Sequence, residues 1–421
     1  MSTRERSHDT IHRQQWSGEG FAAVVRIEVE RATTRDMRRR NRSTLLSELF
    51  FRGPLSRHDL SRITGLSAAT ASSVTAELLQ EGLIIEAGQI DSDGGRPRVL
   101  LRVNPDFGRL VGADVGETGV KVELFDLSMT RLATVDEPLP SSRPDPEAVA
   151  GQLLAGIREV LGGTDASDVI GIGIGVPGTV EQSDPVRVHA PTVGWRGISL
   201  DGLLREGGLT APLFVENGAK SLGQAEMWFG AGRGAGNAVI VLVGSGVGAA
   251  VITNGTLYRG ASSSAGEWGH TTVVYGGRQC RCGARGCLEA YVGAEGILDR
   301  YLQVDPTFVR SADELADVAA LIAAGTPEAD GILAETAGML GAGIGNLVNL
   351  FNPERVVLGG WAGLALGARL LPQIRAAACE QALEHPWGQV SIDLCELGPD
   401  AVAFGAATLP MAELLRRASR P

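Results

Sequence analysis

Lysine is nearly absent from this chain: Lys121 and Lys220 stand alone against 36 arginines in 421 residues. That bias reads as codon composition and carries no functional message by itself. Long hydrophobic runs are missing too. No stretch approaches the roughly 18 consecutive apolar residues of a membrane-spanning helix, so no membrane association is expected. Residues 1–25 are polar and mixed in charge, with no apolar run ahead of a small-residue cleavage site. No secretion signal is read there, and a cytoplasmic location is expected. Cysteine is scarce, with five residues placed unevenly: Cys280, Cys282 and Cys287 cluster, whereas Cys379 and Cys395 are isolated. An odd count with one tight cluster argues against a disulfide framework and for a metal site.

At 44% hydrophobic and 21% charged residues the chain reads as globular, and its length asks for two or three domains. Residues 1–102 hold 16 arginines against 13 acidic side chains, a balance of +3, which leaves −14 for the rest of a chain with net charge −11. A basic front on an acidic body suggests a nucleic-acid contact at one end and a small-molecule or protein role at the other. Asymmetry of this size also arises by chance.

Residues 1–37 lack a sustained apolar period and are expected to form a disordered extension, with Met37 as an alternative start. Residues 38–104 then read as a winged helix-turn-helix. From Asn41, Leu45, Leu46, Leu49 and Phe50 recur at helical spacing up to Gly53-Pro54. Ser56 caps a short helix with Asp59 as its capping-box partner, and Leu60 and Ile63 face inward. Gly65-Leu66-Ser67 makes the turn. A second helix runs to about Glu81, with Ala71, Val74 and Leu78 inward and Ala68, Ala69, Thr70, Ser72, Ser73 and Thr75 outward, small enough to approach base edges. A β-hairpin follows, with its tip at 91–95. Arg96, in Gly95-Arg96-Pro97, suits a narrow minor groove, and Arg98 a phosphate. The candidate contacts to double-stranded DNA are Arg57, Ser67, Ala69, Thr70, Ser72, Ser73, Arg96 and Arg98. A helical bundle with an incidental hairpin is the plainer alternative.

Beyond Pro105, strands and helices alternate. Leu110–Val115 and Val120–Asp126 flank Gly116-Glu117-Thr118-Gly119; Ala238–Val243 and Gly248–Thr253 flank Gly244-Ser245-Gly246. Two similar glycine-turn hairpins, each opening a mixed segment, predict a duplicated two-lobed α/β domain with a central cleft. Its lobes are placed at about 105–220 and 221–403, with a C-terminal helix at 404–419. Helices are expected at about 145–161, 290–304, 313–325 and 329–351.

His270 with Cys280, Cys282 and Cys287 offers one imidazole and three thiolates, a full tetrahedral set for Zn2+. With no open ligand position the zinc is expected to be structural, one per chain. Arg278, Arg281 and Arg285 would offset local negative charge. Reduced cysteines in a loop are the alternative.

The run Glu267-Trp268-Gly269-His270, followed by Cys280-Arg281-Cys282-Gly283-Ala284-Arg285-Gly286-Cys287-Leu288-Glu289, resembles the signature of the ROK family (repressors, open reading frames and kinases). The likeness extends over about 41–415 and includes Asp114-x-Gly116-x-Thr118, Glu216-Asn217 and Gly405-Ala406-Ala407. It implies a sugar-kinase/actin-like, ribonuclease H-like duplicated fold, homodimers or homotetramers, and a sugar in the cleft. It assigns sugar contacts to Asn217, Glu267, His270 and Glu289; that Glu267 and Glu289 only brace the metal loop is the alternative. Two departures count against phosphoryl transfer. Glu117 stands where family kinases have a second glycine, and a carboxylate there would repel phosphates. Gly218 stands where they place the aspartate base, and losing base catalysis costs about 10²–10⁴-fold. The leading expectation is a non-enzymatic, sugar-controlled DNA-binding repressor acting on a palindromic operator. A sugar kinase with an added domain, and a regulator controlled by a protein partner, are the competing readings.

Overall fold

The computed structural model describes residues 33–92, 95–139, 143–311 and 313–417. The extension expected at 1–37 lies outside the described residues up to position 32; its last residues do not match that expectation. Thr33 and Asp36 form a reciprocal capping box that starts a helix at Thr34, running to Arg52. The sequence pattern hides this start because its first two turns are arginine-rich and bury nothing large.

The N-terminal region packs helices Thr34–Arg52, Arg57–Thr64 and Ala68–Gln80 against a hairpin of Ile84–Ser92 with Gly95–Val103. Gly65 ends the second helix at φ 71°, a conformation that glycine adopts without Cβ strain. Leu45, Leu46, Leu49, Leu60, Val74 and Leu78 form its core, and Ile63 is only half-buried. That core is not closed. It continues through Leu110, Phe125 and Leu127 to Ala407, Met411 and Leu415 of the C-terminal helix, and the Ser43 hydroxyl donates to Leu415 O at 2.8 Å.

The remainder is two lobes of one design. The first sheet runs in the order Leu213–Asn217, Val169–Val176, Arg109–Val115, Gly119–Asp126, Arg131–Pro138; the second runs Ser391–Leu394, Arg355–Gly359, Ala238–Val243, Val247–Thr253, Thr256–Leu257. In each, an antiparallel three-strand meander is extended by two parallel strands. The duplication expected from the paired glycine-turn hairpins is present in this topology.

Sequence alternation explains how the first sheet is covered. In Val169–Val176, Ile172, Ile174 and Val176 join the core shared with helix Pro146–Leu161. Gly173 and, on the neighbouring strand, Gly112 face the C-terminal helix Ala401–Arg417. A Cβ at Gly173 would lie 1.8 Å from Ala406 O, and one at Gly112 2.0 Å from Ala403 O, so only glycine lets the helix approach. The C-terminal helix therefore begins at Ala401 and belongs to the first lobe's sheet. The division expected at 220/221 falls inside helix Gly218–Phe229. That helix lies between the lobes, with Gln224 donating to Thr408 at 2.8 Å and Gly223 against Ala250.

The helix expected at 290–304 is broken at Gly293, into Glu289–Val292 and Ala294–Val304. The others run Glu314–Ala323 and Pro327–Phe351. Pro327–Phe351 is long and apolar enough to cross a membrane by composition, yet 61% of its most apolar window is buried inside the fold. It packs along helix Trp361–Gln381.

Candidate functional site

Trp268–His270 forms a single tight turn after Gly266, and the chain returns through short bridges pairing Thr272 with Cys287 and Gln279 with Arg285. Gly283 and Gly286, at φ 98° and 82°, fold the loop back; a Cβ on Gly286 would meet Val274 O at 1.8 Å. The result brings together all four sequence-predicted donors, one atom each from His270, Cys280, Cys282 and Cys287, within 4.8 Å of one another. Cys282 Sγ lies 3.8 Å from Cys287 Sγ, and Cys280 Sγ lies 3.8 Å from His270 Nδ1. A tetrahedron with bonds of about 2.3 Å has edges of about 3.8 Å, so the set fits a metal ion. Burial pushes the Cys280 and Cys287 thiols up from their ordinary values, so thiolates here need a cation beside them.

Near this turn lie other predicted polar residues. Glu267 is half-buried, its carboxyl raised chiefly by burial, with His270 and Lys220 opposing the shift. Its carboxylate accepts no hydrogen bond among the described residues. Asn217 and Glu289 are engaged within the fold. Asn217 Oδ1 accepts from Lys220 N at 3.1 Å to cap helix Gly218–Phe229, and its Nδ2 donates to Gly178 O at 2.6 Å. Glu289 Oε2 accepts from Val247 N at 3.0 Å, and Oε1 lies 3.4 Å from Arg281 Nη2. Gly218 opens the helix, and a Cβ there would meet nothing closer than Val402 at 3.5 Å, an ordinary contact.

A second layer, built around Lys220, lies behind these residues. Lys220 is fully buried and donates to Ser263 O; Arg259 pairs with the buried Glu216 and donates to Ser263 Oγ at 3.1 Å. Burial lowers the Lys220 ammonium, with Glu216 opposing. These bonds pin the Ser262–Ser263 loop beside a cavity of about 410 Å³ lined also by Glu181, Gln182 and Ser183. One signal was available in the sequence: Lys220 is one of only two lysines.

Above the metal loop the two glycine turns meet. Arg281 pairs with Glu117 of the first turn and donates to Ser245 O of the second at 3.0 Å, and its Nε lies 3.0 Å from Glu295. Burial raises the Glu117 carboxyl, and Glu289 and Glu314 raise it further against the pull of Arg281. Ser245 also donates to Glu314. Of the three loop arginines, Arg281 alone reaches these carboxylates; Arg278 and Arg285 bond to Gln303 and Gln279.

On the N-terminal region, Ser67, Ala68, Ala69, Ser72 and Ser73 are exposed and Thr70 half-buried. Ser67 caps the helix by accepting from Thr70 N at 3.1 Å. Thr75 does not face outward. It is fully buried, bonded to Ala71 O, and accepts from Arg57 Nε at 3.2 Å, because it lies four residues after Ala71 on the inner stripe. Arg57 is thereby tied to the helix it precedes. Arg98 is exposed, 3.5 Å from His58 Nδ1. The hairpin tip at 93–94 and the side chain of Arg96 lie outside the described residues.

Comparison with known proteins agrees with this architecture. The ROK family model matches residues 110–413. The chain is 33% identical to the xylose repressor of Bacillus spizizenii over 377 residues, covering 89% of this chain and 96% of that protein. It is also 33% identical to the glucokinase of Halalkalibacterium halodurans, over 71% of this chain and 94% of the enzyme. Among solved structures it is similar to a ROK family transcriptional regulator, a homolog of the Escherichia coli Mlc protein, with TM-score 0.74, 26% identity, and coverage of 91% of this chain and 98% of the other. The chain belongs to the ROK family.

Proposed function

We propose that this protein is a sugar-responsive, DNA-binding transcriptional repressor whose kinase-like cleft senses its ligand without phosphorylating it. The observation that carries this reading is Gly218. At the helix start where family kinases hold the aspartate base, the fold would accept a Cβ and the sequence supplies none. The phosphate-binding turn is filled by Glu117 and closed by Arg281. Glu267, by contrast, presents an unengaged carboxylate suited to a sugar hydroxyl.

The small exposed face of Ser67–Ser73, beside a hairpin, suits a winged helix-turn-helix entering the major groove. A two-fold oligomer of the cytoplasmic protein would read an inverted repeat. Zn2+ is the metal this donor set favours, with a structural role. The similarity to xylose repressors makes D-xylose the first effector to try.

The test is recovery of bound fragments from genomic DNA, followed by titration of the complex with D-xylose and other sugars. Release of DNA at saturating sugar, with no ATP turnover, is expected. By linkage, the DNA must weaken the sugar by the same factor. Sugar-dependent ATP hydrolysis at ordinary kinase rates would overturn the reading in favour of an enzyme.

A further inference from the structure

Two turns of the first helix carry a charge density that the fold does not need. Arg35, Arg38, Arg39, Arg40 and Arg42 precede the buried Leu45, Leu46 and Leu49 that anchor the helix. At about 100° per residue, Arg35, Arg38, Arg39 and Arg42 share one stripe, and Arg40 points away from it. Two members of the stripe fix its direction. Arg38 pairs with Glu77, and Arg42 Nη1 lies 2.7 Å from Glu81, at the C-terminal end of helix Ala68–Gln80. Glu77 in turn accepts from the Ser73 hydroxyl at 3.4 Å, and Ser73 is an exposed member of the face assigned to base edges. The arginine stripe is thus one side chain away from that face.

Packed helices lie about 8–10 Å apart, and the major groove is about 12 Å wide. A helix beside one that fills the groove therefore lies over the flanking phosphate strand. Arg38 and Arg42 neutralise two carboxylates that would otherwise repel that strand. Arg35 and Arg39 are left over. Among the described residues neither has an ion-pair contact, with only the nearby charge of Asp36, and one Nη of Arg39 is buried without a hydrogen-bond partner. We propose that Arg35 and Arg39 form a second DNA contact, gripping the phosphate backbone beside the half-site read by Ser67–Ser73. The proposal rests on the DNA-binding reading above and adds a contact that supplies affinity without sequence information.

The test uses the full chain and a labelled duplex of arbitrary sequence, about three helical turns long, titrated between about 50 and 200 mM KCl. Each phosphate contact contributes about 0.9 to the slope of log K against log salt. The double variant Arg35→Ala/Arg39→Ala is expected to flatten that slope by about 1–2, and Arg40→Ala, the same charge on the opposite face, to leave it unchanged. Arg35→Ala alone, on an exposed turn, should lower the slope by about 0.9 even if Arg39 proves necessary for folding. An unchanged slope in Arg35→Ala and the double variant, or an equal loss in Arg40→Ala, overturns the contact and leaves the DNA reading standing. A wild-type protein that binds no duplex at any salt overturns both.

Discussion

Arg281 lies between Cys280 and Cys282 of the His270/Cys280/Cys282/Cys287 cluster and pairs with Glu117, a residue of the other lobe's glycine turn. A side-chain ion pair thus joins the first lobe's glycine turn to the loop of the second. Glu117→Ala is expected to cost about 1–3 kcal/mol, less than a fully buried pair, because Arg281 keeps Glu295 and Ser245 as partners. Urea unfolding of wild type and variant reads the difference. An unchanged midpoint would mean that the pair joins nothing.

Metal content follows from the donor geometry. Protein purified without chelators should carry about one zinc per chain, and Cys282→Ser should lose it and open residues 269–289 to protease. Elemental analysis and limited proteolysis check both parts. Full metal retention in the variant would remove Cys282 from the ligand set.

Glu267→Gln is expected to keep DNA binding while losing the response to sugar, since it alters the carboxylate that accepts no hydrogen bond among the described residues. Titrating the protein–DNA complex with inducer checks this. A normal response would move the sensor elsewhere, and a protein-partner mechanism would then lead.

Ala69→Glu places a carboxylate on the exposed face proposed to enter the groove. It should weaken operator binding by about 1–3 kcal/mol or more while the melting temperature stays near wild type. Undiminished binding in a footprint titration would exclude that face from the interface.

Asp114 supplies a pH test. Burial pushes its carboxyl up to about 7, helped by Asp136, Asp400 and Glu123 against the pull of Lys121. Unfolded aspartate titrates near about 3.9, so between the two values the folded state holds more protons. The contribution to stability is full below the lower value and is lost as pH rises through the upper. Asp114→Asn should therefore gain on wild type from about pH 4 to pH 7, by on the order of 1–2 kcal/mol, since the site is only half-buried. Parallel unfolding curves showing a constant gap would rule out this titration.

Much of this was legible in the sequence. The convergence of His270, Cys280, Cys282 and Cys287 was readable because their residue types are rare and their spacing tight. The duplicated lobes were readable because glycine turns punctuate both hairpins. Thr75 was misplaced because its hydroxyl suggested the surface, while its spacing from Ala71 put it inside. The bonds of Asn217 and Glu289 depend on partners tens of residues away, such as Gly178 and Val247, which no local pattern announces. The long-range pairing of Lys220 with the Ser263 loop was hidden for the same reason.

Phe50 and Phe51 close the first helix against Trp228 and Phe229 at the end of the interlobe helix, with centroids 5.1 Å apart for Phe51–Trp228 and 5.3 Å for Phe229–Phe404. The N-terminal region is consequently not a detachable module. A sensor built by transplanting it onto another ligand-binding body would need the receiving body to bring a matching aromatic surface on one helix and an apolar one on another. Cut free, the segment would carry an unsealed apolar face into solvent and favour self-association. Chimeras are better joined by moving the interlobe and C-terminal helices together with the N-terminal segment, so that the shared core travels as one piece.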